Sequence, residues 1–223
     1  MPNTLSKALV AEFIGTFALI FIGAGAGALG IGGLVGVAFA HGLVILAFAH
    51  AYGHISGTHI NPAVTLGVLA AGKIEAGRAV AYMVVQVLGG LVGAFALRWV
   101  LGGVVGGLGA TTLQTLSVGG TTVTITPTIG MVLEAILTFF LVNTVLNAAV
   151  SGKAGAHSGF AIGMTLTFSI LMGGPLTGAS LNPARSIGPA IASGNTADLW
   201  VYLVGPLLGA AVAGLLYRGV LED

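Results

Sequence analysis

The sequence predicts an all-α membrane protein with six transmembrane helices and two re-entrant half-helices, arranged as an inverted internal repeat. Composition, long apolar runs and a string that occurs twice predict this fold. Hydrophobic residues make up 56% of the 223 residues and charged residues only 6%, against about 25% charged in ordinary globular chains. Several runs of about 18 or more residues carry at most one charge, which is typical of helices that cross a bilayer.

The string Asn-Pro-Ala occurs twice, each time at the start of an apolar stretch too short to cross a bilayer. The copies are Asn61, Pro62, Ala63 and Asn182, Pro183, Ala184. Asn is a favoured N-cap and Pro is favoured at the first helical position, so each string predicts a helix start. A capping Asn that uses its oxygen leaves two N–H donors free. Two positive helix ends meeting in a membrane would form a filter for a neutral solute that accepts hydrogen bonds.

Six spans and two short helices follow from the apolar runs. The predicted spans are 8–30, 33–52, 78–100, 127–150, 158–174 and 199–217, and the short helices are 61–71 and 182–193. The first short helix rises about 16 Å, roughly half of a bilayer core. Gly173, Gly174 and Pro175 are expected to end the fifth span, and residues 102–126 are expected to form an external loop.

The two halves of the chain resemble each other. Residues 11–17 resemble 133–139 at an offset of 122, and the Asn-Pro-Ala strings repeat at an offset of 121. We therefore expect one channel-like domain over 1–223, with repeat 1 about 8–101 and repeat 2 about 127–219. Three spans in each half force the second half to insert upside down. Interrupted segments at matching positions then point to a pore near the midplane.

Basic residues near the span ends predict the orientation. With both termini cytoplasmic, most flanking basic residues fall inside, with Arg98 as the exception; they are Lys7, Lys73, Arg78, Lys153 and Arg218. Because the chain has no long termini, we expect a multi-pass protein of the plasma membrane.

Three charged residues lie in apolar segments. Arg185 follows the second Asn-Pro-Ala string, where the first copy has Val64. A charge on a half-helix is costly and indicates function, here hydrogen-bond donation and cation repulsion; the alternative is snorkelling to the interface. Glu12 and Glu134 occupy matching positions. We expect each to accept hydrogen bonds from the loop before its half-helix as a buried support, with a proton relay as the alternative.

Other functional classes have little support in the sequence. The net charge of +1 gives no indication of nucleic acid, and the absence of cysteine excludes disulfides and thiolate metal sites. No hydrolase, metalloprotease or phosphate-loop motif occurs. We expect no enzyme activity, no cofactor and no metal. His41 is either a pore residue or a packing residue, and His59 is expected to support the first loop.

At these residues the chain resembles the aquaporin (major intrinsic protein) family. The resemblance rests on two stretches, 54–65 and 180–186, which contain the Asn-Pro-Ala strings. It implies a homotetramer with one pore in each subunit. It also implies an outer constriction, which we place at His41, Ile170, Ala179 and Arg185. Water-specific members have an aromatic residue in place of His41 and a histidine in place of Ile170. This filter therefore looks more like plant tonoplast-type members, some of which pass ammonia.

The resemblance implies a passive channel for water. Water would move along backbone carbonyls of two loop segments, Ser56, Gly57, Thr58 and Gly178, Ala179, Ser180, opposite an apolar wall. Ser186, where glycerol channels usually carry Asp, favours water, whereas Leu203 looks more glycerol-type. Two alternatives stay open: a broader channel for ammonia, glycerol or similar neutral solutes, and an ion-coupled secondary transporter.

Overall fold

The structure, a computed structural model, describes residues 4–222, so the predicted cytoplasmic end residues Met1 and Asp223 lie outside it. Within residues 4–222, six helices are long and apolar enough to cross a membrane, which confirms the predicted fold class. The helices are α1 (Leu5–Leu29), α2 (Gly33–Ser56), α3 (Pro62–Ala70), α4 (Ala76–Val100), α5 (Pro127–Val150), α6 (Ser158–Thr177), α7 (Pro183–Ser193) and α8 (Val201–Leu221). Helices α3 and α7 are the two half-helices. Within α1, Leu19–Ala24 is a π-helical segment.

Three helices extend beyond their predicted ends: α8, which reaches Leu221, and the two helices that precede the half-helices. Helix α2 continues to Ser56 and α6 to Thr177. Each ends at a glycine with positive φ, 88° at Gly57 and 82° at Gly178, which is the usual left-handed helix terminator. The predicted stop at Pro175 was wrong. A proline in the last turn removes only one backbone hydrogen bond, so the helix passes through it.

The loop between α4 and α5 contains a β-hairpin that the sequence analysis did not predict. Strands β1 (Thr115–Val118) and β2 (Thr121–Thr124) pair antiparallel across a Gly-Gly turn in which both glycines have positive φ. Such a turn suits a two-residue hairpin. The base of the hairpin is tied to α6, because the Gln114 N–H donates to the Leu176 carbonyl at 3.0 Å. We call this side of the molecule the hairpin side.

Each half-helix packs against a span of the other half. Helix α7 lies on α4, where a Cβ on Gly188 would clash with the Gly90 carbonyl. Helix α3 lies on α8, where a Cβ on Gly214 would clash with the Gly67 carbonyl. Glycine is required at these contacts because the backbones themselves touch. The crossed packing brings the first residues of α3 and α7 together in the middle of the molecule.

Candidate functional site

The two half-helices begin at Asn61 and Asn182, which meet at the centre. Both have extended backbone, and both cap their helices with the side-chain oxygen. Asn61 Oδ1 accepts from the Ala63 N–H at 2.8 Å, and Asn182 Oδ1 accepts from the Ala184 N–H at 3.0 Å. The oxygens are thus used inside the helices, and the NH2 groups point away from them.

Each of these NH2 groups has one donor engaged by the opposite loop. Asn61 Nδ2 donates to the Leu181 carbonyl at 2.8 Å, and Asn182 Nδ2 donates to the Ile60 carbonyl at 3.0 Å. The prediction of two free donors on each Asn was therefore wrong. The carbonyl that precedes one Asn lies beside the amide of the other, so the bonds link the two loops. One N–H of each amide remains for a solute.

Glu12 is fully buried beneath the first loop. It accepts hydrogen bonds from the backbone N–H groups of His59 at 2.9 Å and Ile60 at 2.6 Å. Ser56 Oγ donates to it at 2.6 Å and Gln86 Nε2 at 2.7 Å. These loop N–H groups have no helical partner, so the carboxyl group supplies the acceptors that the membrane interior lacks.

Glu134 makes the equivalent contacts in the second half. It is also fully buried and accepts from the backbone N–H groups of Ser180 at 3.0 Å and Leu181 at 2.8 Å. Thr177 Oγ1 donates to it at 2.7 Å. Both glutamates therefore hold the loop that leads into a half-helix.

Two tyrosines hold the ends of the helices before these loops. Tyr82 donates its hydroxyl to the Ser56 carbonyl at 3.0 Å, and Tyr202 donates to the Thr177 carbonyl at 2.8 Å. Sequence reasoning did not find this role. The signal available in the sequence was that each tyrosine follows its Asn-Pro-Ala string at nearly the same spacing along the chain.

A cavity of about 430 Å³ lies between the two halves of the molecule. It begins at a mouth lined by His50, His54, Ala156 and Gly159, which we call the histidine mouth. It passes Asn61 and Asn182 and reaches His41 and Arg185. The apolar part of its lining is formed by Leu19, Ile45, Val64, Leu141, Val145, Ile162 and Leu166. The two Asn side chains therefore line the same cavity as the histidine mouth, His41 and Arg185.

The predicted carbonyl stripe is only partly in this cavity. Gly57, Thr58 and Ser180 line it, together with His59, which the stripe did not include. Ser56 is not among the lining residues, and its carbonyl accepts from the Tyr82 hydroxyl. Its place in the stripe stays a prediction.

The two remaining stripe positions lie away from the cavity lining. Gly178 lies against Thr111 of the hairpin-side loop, and Ala179 is buried. The second loop therefore reaches the cavity mainly through Ser180 and the residues after it.

The end of the cavity on the hairpin side carries two buried polar atoms without hydrogen-bond partners among the described residues, His41 Nε2 and Arg185 Nε. The other side of each group is held. His41 Nδ1 lies 2.9 Å from the Val37 carbonyl, and Arg185 Nη1 donates to the Gly109 carbonyl at 2.8 Å. Arg185 is 5% exposed, so it does not snorkel to the surface. Buried polar atoms normally have a partner, so these two are candidates to bind a passing solute.

The other two predicted filter residues are apolar and buried. Ile170 is 2% and Ala179 1% exposed, and neither lines the cavity. The structure therefore places His41 and Arg185 in the lining of one cavity, whereas Ile170 of α6 and Ala179 of the second loop are buried outside that lining.

Comparisons with known proteins agree with this arrangement. The model of the major intrinsic protein family matches residues 2–217. The chain is 40% identical to Aquaporin TIP2-3 of Zea mays, with 96% of this chain and 87% of that protein covered. It is 43% identical to Aquaporin TIP4-1 of Arabidopsis thaliana, with 97% and 87% covered.

A solved structure shares the fold at low identity. The aquaglyceroporin from Plasmodium falciparum superposes with a TM-score of 0.84 at 24% identity, and 98% of each chain is covered. The plant TIP relatives show a multi-pass membrane protein and give no support to a plasma membrane in particular. The resemblance seen in the sequence is confirmed, and so is the expectation that the protein is not an enzyme. The chain belongs to the major intrinsic protein family, the aquaporin channels of membranes.

Proposed function

We propose that the protein is a passive channel for water that excludes ions and protons, and that it also passes ammonia. The observation that carries the proposal is the meeting of two half-helix starts at one cavity, each with a single amide N–H left for a solute. Water accepts and donates hydrogen bonds without carrying charge. It is the solute that best fits two donors next to positive helix ends.

The centre of the cavity supports exclusion of protons and cations. The free N–H groups of Asn61 and Asn182 both donate to the oxygen of one water molecule. That molecule then points its own hydrogens toward the two ends of the cavity and cannot accept from its neighbours in the file. A proton therefore finds no continuous chain of acceptors, and the helix dipoles oppose any cation.

The loop groups and the apolar wall support passage in single file. Water that enters from the histidine mouth gives up hydration contacts and recovers hydrogen bonds from Gly57, Thr58 and His59. The opposite wall, with Val64 and Leu141 among its residues, offers no polar groups. This asymmetry keeps water moving along one side without binding it tightly.

The filter on the hairpin side supports a second candidate, a broader channel for glycerol and similar neutral solutes. Its observation is that Ile170 and Ala179 are buried and bring no polar group to the end of the cavity that His41 and Arg185 line. With His41 and Arg185 as the polar side chains at this end, the filter tolerates less polar solutes such as ammonia. Arg185 still supplies a charge that opposes cations.

The assembly and orientation are part of the same proposal. We propose a homotetramer in a lipid bilayer, as is usual in the family, with both termini cytoplasmic because most flanking basic residues then lie inside. One domain with two inverted repeats forms each pore. The channel needs no cofactor and no energy source.

Stopped-flow light scattering of proteoliposomes tests the proposal. With an impermeant osmolyte we expect shrinkage faster than in empty vesicles. Gly77→Ala is the control variant and should leave the rate of shrinkage unchanged, because its added Cβ meets nothing within 4 Å. Water flux no faster than in empty vesicles would contradict a channel. Re-swelling in glycerol would place the second candidate first, and dependence on an ion gradient would indicate a transporter.

Asn182→Asp separates the central mechanism from simple permeability. The carboxylate removes the donor and adds a negative charge, so we expect a cation or proton leak in vesicles that carry a pH-sensitive dye. Unchanged exclusion in this variant would show that the two Asn donors do not form the barrier.

A further inference from the structure

Gly23 of α1 lies directly against the imidazole of His41. A Cβ placed on Gly23 would be 2.6 Å from His41 Cδ2, 2.8 Å from Nε2 and 2.9 Å from Cγ. Carbon atoms in contact normally lie about 3.5–4.0 Å apart. The imidazole therefore occupies the space that a side chain at position 23 would need.

The imidazole is restrained on its other sides. Its Nδ1 lies 2.9 Å from the Val37 carbonyl, one turn earlier in α2. His41 also lines the cavity and is only 3% exposed. Because α1 is on one side and its own helix holds Nδ1, the direction in which the ring can move is into the cavity.

Position 23 lies where the backbone of α1 departs from a regular α-helix. Gly23 belongs to the π-helical segment Leu19–Ala24, and π-helical turns often occur at functional sites. Two residues further on, a Cβ on Gly25 would instead meet Leu97 of α4 at 3.2 Å. The two glycines thus face different neighbours, and only Gly23 faces the filter.

The internal repeat offers an independent comparison. At the offset of 122 that relates α1 to α5, the position of Gly23 corresponds to Val145. Val145 has a side chain and lines the cavity wall. In the first half, the absence of a side chain at this position is matched by the imidazole of His41, which takes up the space.

We propose that Gly23 is a positioning residue that sets the width of the filter by letting the His41 imidazole lie back against α1. The inference rests on the proposed function, because the width matters only if solutes pass His41. A methyl group at position 23 would push the ring about 1 Å toward Arg185, the difference between the clash and an ordinary contact distance. Solutes would then meet a narrower gap.

Gly23→Ala tests this in the proteoliposome assay, at equal protein density. We expect water flux to fall about tenfold or more, because pore diameter limits passage. The double variant Gly23→Ala with His41→Ala should recover water flux, since the clashing ring is gone. Gly25→Ala is the matched control on the same helix and should keep wild-type flux, because the flexible end of Leu97 can move.

Two results would overturn the inference. One is wild-type flux in Gly23→Ala. The other is a loss of water flux in the double variant as large as in Gly23→Ala alone, which would mean that Gly23 is needed for helix packing rather than for the position of His41.

A structure of Gly23→Ala gives a readout that does not depend on transport. We expect the imidazole to lie closer to Arg185 than in the wild type, and an unmoved ring would refute the positioning role. If wild-type vesicles show no flux while the ring moves as expected, the proposed function fails and the positioning of His41 by Gly23 stands.

Discussion

The loops before α3 and α7 have the same supports but different side chains toward the cavity. In each loop, two consecutive backbone N–H groups donate to one buried carboxyl group, that of Glu12 or Glu134. In each, a tyrosine hydroxyl holds the last carbonyl of the preceding helix. The supports are therefore repeated in full.

The differences lie beyond these supports. The residue three positions after the capping Asn is Val64 in the first half and Arg185 in the second. Glu12 has an additional donor in Gln86, which also donates to Thr65 at 3.0 Å, whereas the matching position in the second half is Pro206.

This comparison separates two kinds of constraint. Both loops expose the same backbone groups at membrane depth, and an unpaired N–H there is costly in either half. The supports must therefore be present twice. A side chain that faces the cavity has no such constraint, so we expect discrimination among neutral solutes to depend on positions where the halves differ.

The largest expected effect comes from removing a loop support. Glu134→Leu leaves the N–H groups of Ser180 and Leu181 without acceptors, at about 1–3 kcal/mol for each buried unsatisfied group. We expect little folded protein by size-exclusion chromatography in detergent, and the same for Glu12→Leu.

The milder pair of substitutions sharpens the comparison. Glu12→Gln should lower the thermal midpoint less than Glu134→Gln, because the Gln86 amide can turn its oxygen toward the new amide, whereas Pro206 at the matching position has no side-chain polar group. Equal midpoints in the two variants would show that the extra polar contacts of the first half do not matter.

Arg185→Val makes the second half match the first at the filter. Removal of the charge should lower the barrier to cations and widen the gap. A barrier lower by about 1.4 kcal/mol raises flux about tenfold, and we expect at least this for glycerol and a measurable cation leak. Arg98→Val is the control, because Arg98 donates to the Ala192 carbonyl at the end of α7, away from the cavity. Selectivity unchanged by Arg185→Val would assign the barrier to the Asn pair alone.

The smallest expected effect concerns the two tyrosines. Tyr202→Phe and Tyr82→Phe each remove one buried hydrogen bond, worth about 1 kcal/mol. The Tyr82 hydroxyl also accepts from Arg78 Nη2 at 2.8 Å. We therefore expect Tyr82→Phe to lower the thermal midpoint slightly more than Tyr202→Phe. A larger loss in Tyr202→Phe would show that the two helix ends are not held equivalently.

Much of the architecture could be predicted because its signals are local. A run of about 20 neighbouring apolar residues predicts a span. Consecutive Asn, Pro and Ala residues predict the start of a half-helix. The repeat then paired Glu12 with Glu134 and led to the expectation that both contact the loops. The hairpin was missed because its Gly-Gly turn lies in a stretch rich in glycine, where many turns are equally compatible with the sequence.

The sequence by itself determined the six spans, the two half-helices and the pairing of matching residues in the two halves. Only the tertiary structure decided which donors remain for a solute. Asn61 loses one N–H to Leu181, the Ser56 carbonyl is used by Tyr82, and His41 rests on Gly23. Each of these contacts joins two different segments of the chain. A pattern within one segment records its own helix, but not which backbone oxygen or empty space a distant segment brings beside it.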